Sequence, residues 1–584
     1  MSVFNIFLGH ISSVVSSLVQ TGNAATQFDP KKITVEPTRD VSHGDLATNV
    51  AMILAKPLGM NPRELAEKIV GDLKKIPDIE KLEIAGPGFI NMTLTPQFWH
   101  KQLRDALEKK ERYGDSVLGK NEPLNVEFVS VNPTGPLHTG HGRNAVLGDT
   151  IAALMQKVGY QVTREYYVND AGGQVNALAR SVYLRYCQAL GQEVVESDFT
   201  ADMYHGDYVV PVGEAFAKEF GKQWLGKPES EWLNLFREKS VAAMMSDIRD
   251  TLEKLGVMMD VYTSEKELVE AGRIEETLKI LEDQGDVYQG VLSPPKGHIV
   301  DDWEERPQTL FRATAYGDDV DRALKKSDGT WTYFAGDIAY HVDKFKRGFK
   351  QMIDVFGADH SGYVKRVTSA VKAVTQGQGN VEIKVCQMVN FLDNGVPVRM
   401  SKRAGIFITI DEVIDRVGKD STRFMMISRH QDMPIDFDFA KVVEQTKDNP
   451  IFYIQYAHAR ICSVLRHTQS VFPNMNLDYL ESAQIELLTD ESELAMIKLI
   501  ANWPRQVEVA ALIREPHRLA NFLYDLASQF HSLWNKGKDN THLRFIDPNQ
   551  EELTKARLAL IKCVAMVISS GLLLFGITPV QEMR

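Results

Sequence analysis

The chain of 584 residues is 44% hydrophobic and 25% charged, and its net charge is −12. This length predicts several domains, and so large an apolar fraction excludes an intrinsically disordered protein. The four cysteines are far apart and none belongs to a CxxC pair, which argues against a disulfide framework and a zinc site, so we expect buried thiols at Cys187, Cys386, Cys462 and Cys563.

The N-terminal region is predicted to be a compact α+β domain over residues 1–118. Residues 1–20 lack a basic segment at their start, and their apolar side chains recur at helical spacing, which predicts an amphipathic helix rather than a signal peptide. The residues of this apolar face are Phe4, Phe7, Ile11, Val14, Val15 and Leu18. Further on, Gly44-Asp45 predicts a helix start, and residues 89–94 are typical of a strand.

A strand, a break and a helix follow one another from residue 125. Residues 125–131 form a short apolar run of the kind found in buried parallel strands, residues 132–136 end it, and residues 138–147 have helical composition. His138 and His141 then share one face of the first helical turn, where backbone N–H groups and the positive helix end favour an anion and Gly140 leaves room for it. The alternative is a plain helix start with two solvent-facing histidines.

This strand-to-helix crossover, at 124–157, predicts the opening of an α/β catalytic region over residues 119–390. A helical, acidic insertion occupies about 175–325, and residues 331–361 resume the α/β pattern.

A basic segment follows the hairpin-like turn of residues 391–397. Arg399-Met400-Ser401-Lys402 is therefore predicted to lie on a mobile loop, where Lys402 and Arg399 would neutralise charge that builds on transferring phosphate groups. The alternative is a basic loop that is merely solvated. Residues 391–449, with helical segments that begin at 411–415, connect this loop to the last domain.

A helical domain is predicted over residues 450–584, because Pro450 is well placed for a first helical turn. From residue 451 onward there are 13 basic and 14 acidic side chains, a net of −1, so the other −11 of the total charge lies earlier in the chain. Basic and aromatic residues alternate here in a way suited to RNA, although we expect most of the aromatics to be core. The uncharged run of 563–580 predicts a buried helix rather than a membrane span.

The two signatures together resemble a known enzyme class. Residues 136–141 and 399–402 are similar to the HIGH and KMSKS motifs of class I aminoacyl-tRNA synthetases, with Arg399 where the family's first lysine stands. Residues 44–52, 85–91, 166–174 and 449–460 resemble blocks of arginyl-tRNA synthetases, so the resemblance covers nearly the whole chain. It implies a Rossmann-like catalytic domain with an inserted helical region, an N-terminal domain that contacts the tRNA corner, and an all-α anticodon-binding domain.

The resemblance also implies site residues. Glu127 and Asp337 would contact the guanidinium of arginine, Tyr333 would stack on it or bond to it, Asn132 with Ser130 beside it would hold the α-amino group, and Asp359, followed by His360, would meet the α-amino group or the ribose. Taken singly, these residues have ordinary interpretations: a strand-end surface acid for Glu127, a helix cap for Asp337, a core residue for Tyr333 and a turn cap for Asp359.

For the nucleotide, the resemblance implies that ATP is bound by His138, Gly140, His141, Gly357, Met388, Val389, Arg399, Ser401 and Lys402. Of these, His138, His141 and Lys402 would be catalytic. Magnesium would come bound to ATP, and no zinc or protein-bound metal is expected. The implied partners are arginine, ATP and tRNA-Arg, with attack by the 2′-hydroxyl of tRNA and a need for tRNA even in the first step, in a cytoplasmic monomer without a membrane.

Two other classes of protein share part of this pattern. An adenylyltransferase that acts on a small metabolite would share the histidine turn but would not need the two flanking domains. A non-catalytic relative that binds tRNA or scaffolds proteins would not need His138, His141 and Lys402.

Overall fold

A computed structural model describes residues 2–21, 29–38, 40–292, 306–326, 328–398 and 408–583. Its centre is a five-stranded parallel sheet of order β12-β11-β5-β6-β7, whose strands are given below in chain order. Helices precede, connect and follow its strands along the chain, and the described residues form three smaller sheets as well.

The N-terminal region is an antiparallel sheet of order β1-β2-β4-β3 with four helices. The predicted amphipathic helix is confirmed, since Phe7 and Ile11 are fully buried, and so is the strand at 89–94. The helix start at Gly44 is wrong: φ is +97° there, and the carboxylate of Asp45 accepts the N–H of Leu94 at 2.8 Å, so the chain enters a strand. The elements are α1 (Val3–Thr21), β1 (Val35–Pro37), β2 (Leu46–Thr48), α2 (Val50–Ala55), α3 (Pro62–Leu73), β3 (Ile79–Ala85), β4 (Phe89–Leu94) and α4 (Pro96–Lys109).

The first crossover of the parallel sheet runs as predicted, from strand to helix to strand. It consists of β5 (Pro123–Glu127), α5 (Thr139–Lys157) and β6 (Gln161–Val168). β5 pairs in parallel with β6 on one side and with β11 on the other. β5 is therefore the strand at which successive connections diverge, the topological switch point where ligands of open α/β sheets bind.

The segment predicted as a helical insertion is helical only in part. It begins with three helices, but β7 then joins the edge of the parallel sheet by pairing with β6, and three further strands form a small antiparallel sheet of order β10-β9-β8. The elements are α6 (Gly173–Ala189), α7 (Val209–Phe220), α8 (Glu229–Lys254), β7 (Val261–Ser264), α9 (Glu265–Glu270), α10 (Arg273–Asp283), β8 (Val287–Gly290), β9 (Gln308–Phe311) and β10 (Arg322–Ala323).

The chain next forms the last two strands of the parallel sheet, and then the segment that connects this sheet to the C-terminal helices. The predicted hairpin-like turn is confirmed, because β13 and β14 pair antiparallel around Asn394 and Gly395, whose φ values are +50° and +79°. The helical segment predicted at 411–415 lies within α13. The elements are α11 (Tyr333–Lys346), β11 (Gln351–Gly357), α12 (Val364–Val374), β12 (Asn380–Cys386), β13 (Val389–Asp393), β14 (Val396–Pro397), α13 (Ile410–Val417), α14 (Lys419–Ile427) and β15 (Ile435–Asp438).

The C-terminal region is helical, as predicted, and Pro450 stands at the first position of its first helix. Trp503, Phe522 and Phe530 are buried, which confirms that these aromatics are core. The last helix is long and apolar enough to cross a membrane, but 72% of its apolar window is buried within the protein, as expected of a core helix. Three cysteines are buried as predicted, whereas Cys462 is partly exposed. The helices are α15 (Pro450–Val471), α16 (Glu491–Ile513), α17 (His517–Asp539) and α18 (Glu551–Leu574).

Candidate active site

The histidine turn forms the N-terminus of α5. His138 is the N-cap, and its Nδ1 accepts the backbone N–H of Gly140 at 3.2 Å, while the N–H of His138 donates to Nδ1 of His141, also at 3.2 Å. Because both Nδ1 atoms are acceptors, the proton of each neutral ring lies on Nε2. The rings stack with centroids 3.4 Å apart, and both residues are partly buried. The two imidazoles therefore hold each other in place, which contradicts the alternative of two solvent-facing histidines.

The backbone between β5 and this turn is unusual. φ is +69° at Val129 and +40° at Ser130, so the strand predicted for 125–131 is wrong beyond Glu127. Side chains of neighbouring elements stabilise the bend: Asn144 Oδ1 accepts the N–H of Val129 at 2.7 Å, and Ser130 Oγ accepts the N–H of Tyr167 at 3.0 Å. Positive φ in such residues costs about 1–3 kcal/mol each and is concentrated at functional sites.

Asn132 follows this bend and is exposed. Its Nδ2 donates to Oε1 of Gln174, in the first turn of α6, at 2.6 Å. The side chain predicted to hold the α-amino group is therefore at the surface of the site, beside the start of the insertion.

The second signature cannot be compared with the prediction, because Arg399, Ser401 and Lys402 lie outside the described residues. Its C-terminal flank does reach the histidine turn. Thr409 forms an isolated antiparallel bridge with His138, and the N–H of Ile410 donates to the carbonyl of Leu137 at 3.0 Å.

Tyr333 and Asp337 lie in the first two turns of α11. Tyr333 is 62% exposed, which contradicts the core interpretation. Asp337 is the fifth residue of the helix, not its cap, and one of its carboxylate oxygens accepts the hydroxyl of Tyr363 at 2.5 Å. Burial raises the pKa of Asp337 even though Tyr363 opposes the shift. Tyr333 therefore presents an exposed aromatic ring, and Asp337 a poorly solvated acid.

Glu265 is a second acid at this place that the sequence analysis missed. It begins α9 directly after β7, and its Oε1 lies 3.7 Å from where a Cβ on Gly336 would be, beside Asp337. Burial, and after it the charge of Asp337, raises the pKa of Glu265 to about 7, against a hydrogen bond from the backbone of Ala171. An acid at the carboxyl end of a parallel strand is the signal that would have found it.

Glu127 ends β5, and its side chain is only 9% exposed, so it is not a surface acid. Its Oε2 accepts Nζ of Lys344 at 2.5 Å, and the same ammonium donates to Oδ1 of Asp354 at 3.0 Å. Nε2 of His341 lies 2.9 Å from Oδ2 of Asp354. Glu127, His341 and Asp354 have the ligand types and spacing of a metal site, but the lysine ammonium already binds both carboxylates, so the cluster is an ion-pair network.

Of the residues predicted to meet the nucleotide, Gly357 is the last of β11, Met388 directly precedes β13 and Val389 is the first of β13. Gly357 ends β11, next to β5 in the sheet, and a Cβ there would come within 2.6 Å of Oδ1 of Asp359. Asp359 and His360 have exposed side chains, and Oδ2 of Asp359 lies 3.7 Å from Nε2 of His360. Met388 is 61% exposed, while Val389 is buried and can offer only its backbone.

Comparison with known proteins decides the family. A model described as the arginyl tRNA synthetase N terminal domain matches residues 8–94, the class I (R) tRNA synthetase catalytic domain matches 102–463, and the DALR anticodon binding domain matches 454–583. Arginine–tRNA ligases of Parvibaculum lavamentivorans and Azorhizobium caulinodans are 52% and 53% identical to the chain over 100% of both lengths. The chain belongs to the arginyl-tRNA synthetase family. The predicted activity, arginine–tRNA ligase, is therefore confirmed.

Solved structures agree with this assignment at the level of the fold. The arginyl-tRNA synthetase of Thermus thermophilus has a TM-score of 0.72 at 21% identity over 100% of both chains, and that of Plasmodium falciparum has 0.71 at 16% over 99% of both. The predicted fold class is confirmed. A small-metabolite adenylyltransferase and a non-catalytic relative are both excluded, since the match includes the flanking domains and the relatives are named as ligases. The exact domain limits and the residue roles stay predictions.

Proposed function

We propose that the chain activates L-arginine with ATP at the carboxyl edge of its parallel sheet and then transfers arginine to the 3′-terminal adenosine of tRNA-Arg. One observation carries this proposal. The connection that leaves the central strand β5, at the switch point with β11, leads to the histidine turn, and the acids Glu265 and Asp337 lie side by side at the start of α9 and in α11. An anion site and a cation site thus occur together.

The guanidinium is proposed to bind Asp337 and Glu265. Two carboxylates match its forked donors, and Tyr333 offers an exposed ring face for stacking. Among the described residues, neither acid forms an ion pair with a protein cation, so both charges are available to the substrate. Lysine would fit poorly, because its ammonium lacks the planar fork of donors that can bind carboxylates in a two-point fashion, and an imperfectly paired buried charge costs several kcal/mol.

The rest of the amino acid is proposed to meet residues after β5. Asn132, with Ser130 beside it, would hold the α-amino group, and Asp359 would meet the α-amino group or the ribose. Glu127 would accept a hydrogen bond from the substrate through the oxygen that Lys344 does not take.

ATP is proposed to lie with its phosphates over the first turn of α5. The positive end of the α5 dipole favours an anion there, His138 and His141 lie in this turn, and Gly140 keeps the approach open. Gly357, Met388 and Val389 would line the ribose and the adenine. Arg399, Ser401 and Lys402 are assigned to the phosphates by resemblance alone, and Mg²⁺ would arrive with ATP.

The reaction then needs no nucleophile from the protein. The arginine carboxylate attacks the α-phosphorus in line and pyrophosphate leaves, after which a hydroxyl of the terminal adenosine, by resemblance the 2′-hydroxyl, attacks the adenylate carbonyl, the bond to phosphate breaks and AMP leaves. His138, His141 and Lys402 contribute position and electrostatic stabilisation, which is how phosphoryl-type transfers are accelerated.

A groove in the C-terminal helices is proposed to receive unpaired tRNA nucleotides. Its cavity of about 860 Å³ lies between α15, α17 and the end of the chain. The guanidinium of Arg460 lies 4.2 Å from the ring centre of Tyr456 and 5.1 Å from that of Trp534. Basic groups beside aromatic faces suit stacked bases and phosphates. The monomeric state, the cytoplasmic location and the absence of zinc and of a membrane rest on the resemblance.

Pyrophosphate exchange with each amino acid, with and without tRNA-Arg, tests the proposal. We expect exchange with arginine only, and only when tRNA is present. Exchange with another amino acid would overturn the assignment of the pocket. Exchange with arginine in the absence of tRNA would overturn the coupling of the first step to tRNA.

A further inference from the structure

Lys344 is a buried cation next to the proposed arginine pocket. It lies in α11, two turns after Asp337, and is fully buried. Its ammonium contacts Glu127 Oε2 at 2.5 Å and Asp354 Oδ1 at 3.0 Å, and lies 4.4 Å from the ring centre of Tyr340. A buried ammonium is costly unless it is paired and hydrogen-bonded, so the two carboxylates explain why it is tolerated.

His341 adds a second cation to this group. Its Nδ1 lies 2.7 Å from the backbone carbonyl oxygen of Asp337, and its Nε2 lies 2.9 Å from Oδ2 of Asp354. Both partners are acceptors, so both ring nitrogens carry protons and the ring is an imidazolium. Burial lowers the pKa of His341, but the charge of Asp354 and the hydrogen bond to it together outweigh burial, so the pKa is raised.

Two cations and two anions make this network electrically neutral. Asp354 contacts both cations, which together outweigh its burial and lower its pKa to about 2. Glu127 contacts only one cation, so burial raises its pKa and Lys344 is the main opposing influence. Glu127 therefore depends on Lys344 for its charge.

The carboxylate of Asp337, whose pKa burial raises, also lies beside the network, where His341 lowers that pKa and Asp354 raises it. The remaining ionisable groups packed against the network are paired or neutral. Glu165 on β6 accepts the guanidinium of Arg347 at 2.7 Å and 3.0 Å. The pKa values of Tyr167 and Tyr340 are raised, chiefly by burial, so both hydroxyls are neutral. In the described part of the chain, Lys344 is thus the one cation in contact with Glu127.

We infer that Lys344 is a positioning residue for arginine recognition, which keeps Glu127 ionised and fixed at the end of β5 while cancelling its charge. Asp337 and Glu265 then remain as the two acids whose charge meets the guanidinium, and Glu127 serves as a hydrogen-bond acceptor without adding a third net charge. This inference rests on the proposed role of Glu127 in binding arginine.

The test compares Lys344→Met, Glu127→Gln and the double variant in tRNA aminoacylation, with KM for arginine and kcat measured from about pH 6.5 to about pH 9. We expect Lys344→Met to raise KM for arginine at least about tenfold at neutral pH. This KM should fall back as pH rises, because Glu127 has lost its counter-charge and ionises only at higher pH. Glu127→Gln should raise KM without recovery, since the amide does not titrate. The double variant should be no worse than Glu127→Gln alone.

Each other outcome has a distinct meaning. An unchanged KM in Glu127→Gln overturns the proposed role of Glu127, and with it this inference. A raised KM in Glu127→Gln together with a pH-independent or absent effect in Lys344→Met overturns the inference alone. Additive losses in the double variant do the same, because they show that Lys344 acts apart from Glu127.

A control variant and a substitute for an unfolded variant keep the test decisive. Lys346→Met removes an exposed lysine of the same helix that pairs with Glu276, and should leave KM unchanged. If Lys344→Met does not fold, the double variant replaces it, because removing one cation and one anion leaves the balanced pair of Asp354 and His341. A double variant with the KM of Glu127→Gln supports the inference, and a higher KM overturns it.

Discussion

Glu265 and Asp337 are like charges held close together in poorly solvated surroundings, an arrangement that disfavours the ionisation of both at once. The pKa of Glu265 is raised to about 7, first by burial and then by Asp337. A guanidinium between them opposes the shift, because it is a permanent cation that stabilises both charged forms. Arginine binding is therefore expected to release a proton from Glu265 near neutral pH.

The first prediction concerns this proton. Arginine binds the ionised form of Glu265, so KM for arginine should fall about tenfold between pH 6 and pH 8, as for a single group with a pKa of about 7. Aminoacylation kinetics over this range measure the effect. Glu265→Gln should raise KM and remove the dependence. Asp337→Asn removes the neighbouring charge and should move the midpoint of any remaining dependence to lower pH, and an unmoved midpoint would show that the two acids do not interact.

The second prediction concerns Lys402, whose role comes from the resemblance. If its charge acts mainly on the transition state, Lys402→Ala should slow adenylate formation by about 10²–10³-fold and leave arginine affinity nearly unchanged. Single-turnover formation of the adenylate, with arginine binding measured separately, distinguishes the two quantities. Lys441→Ala, at an exposed lysine after β15, serves as the control. Equal losses of rate and affinity would assign Lys402 to binding.

The sequence indicated some of these residues and not others for a physical reason. Glu127 and Asp337 could be proposed because they stand at fixed places in motifs that resemble a family. Glu265 lies in no quoted motif, and its importance appears only when α9 is packed beside α11. Lys344 looks like an ordinary helical lysine in the sequence, since its burial depends on Asp354, ten residues away on β11, and on Glu127, 217 residues away.

At the scale of elements, one side chain of α5 forms hydrogen bonds to the segments that flank the proposed adenine site. Arg143 is 1% exposed, and its Nη1 donates to the carbonyls of Gln387 and Met433 at 2.8 Å each. Nη2 donates to the carbonyl of His430 at 3.1 Å, and Nε to that of Met426 at 3.4 Å. A planar guanidinium can bind several carbonyls that diverge in this way, which a lysine ammonium cannot reach together.

The third prediction follows from this contact. Arg143→Met leaves four carbonyl groups, one in a buried and three in partly buried hydrogen bonds, without this donor, so we expect a loss of about 2–4 kcal/mol in the free energy of unfolding and a higher KM for ATP. Urea unfolding and ATP kinetics measure the two effects. Arg429→Met, at an exposed arginine of the same connecting segment, should change neither. A normal unfolding midpoint in Arg143→Met would show that water replaces the guanidinium at little cost.

Element limits were predictable where local chemistry decides them and not where distant contacts do. The strand at 89–94 and the helix that starts at Pro450 agree with their patterns. The strand at 125–131 was predicted from apolar composition, but Asn144 of α5 and the backbone of Tyr167 stabilise an early bend. Gly44 resembled a helix start, yet its positive φ leads into β2, because a strand partner, β4, is present.

At the scale of the whole molecule, the N-terminal region is fixed to the C-terminal helices. Nε2 of His100 lies 2.9 Å from the carbonyl of Leu488, and Nε1 of Trp503 donates to the carbonyl of Tyr113 at 3.2 Å. The carboxylate of Asp45 also accepts Nζ of Lys498 at 2.6 Å. The sequence indicated both regions but not their contact, since partners nearly 400 residues apart leave no local pattern. The two regions proposed to touch tRNA therefore form one continuous body beside the catalytic sheet.

The fourth prediction tests the C-terminal groove as part of this surface. The total charge of −12 opposes a polyanion, so binding must depend on local cations such as Lys538, which lines the groove and is exposed. Lys538→Ala should raise KM for tRNA-Arg by up to about tenfold, or 1.4 kcal/mol, and should lower the salt dependence of tRNA binding by about one unit of slope, as expected for one phosphate contact. KM for arginine and ATP should not change. Lys555→Ala, on α18 outside the groove, is the matched control, because its ammonium donates to Ser482 Oγ at 2.9 Å and its loss removes the same charge from the same domain. If both variants weaken tRNA binding equally, the domain attracts tRNA only through its overall charge, and the groove is not the place where the nucleotides bind.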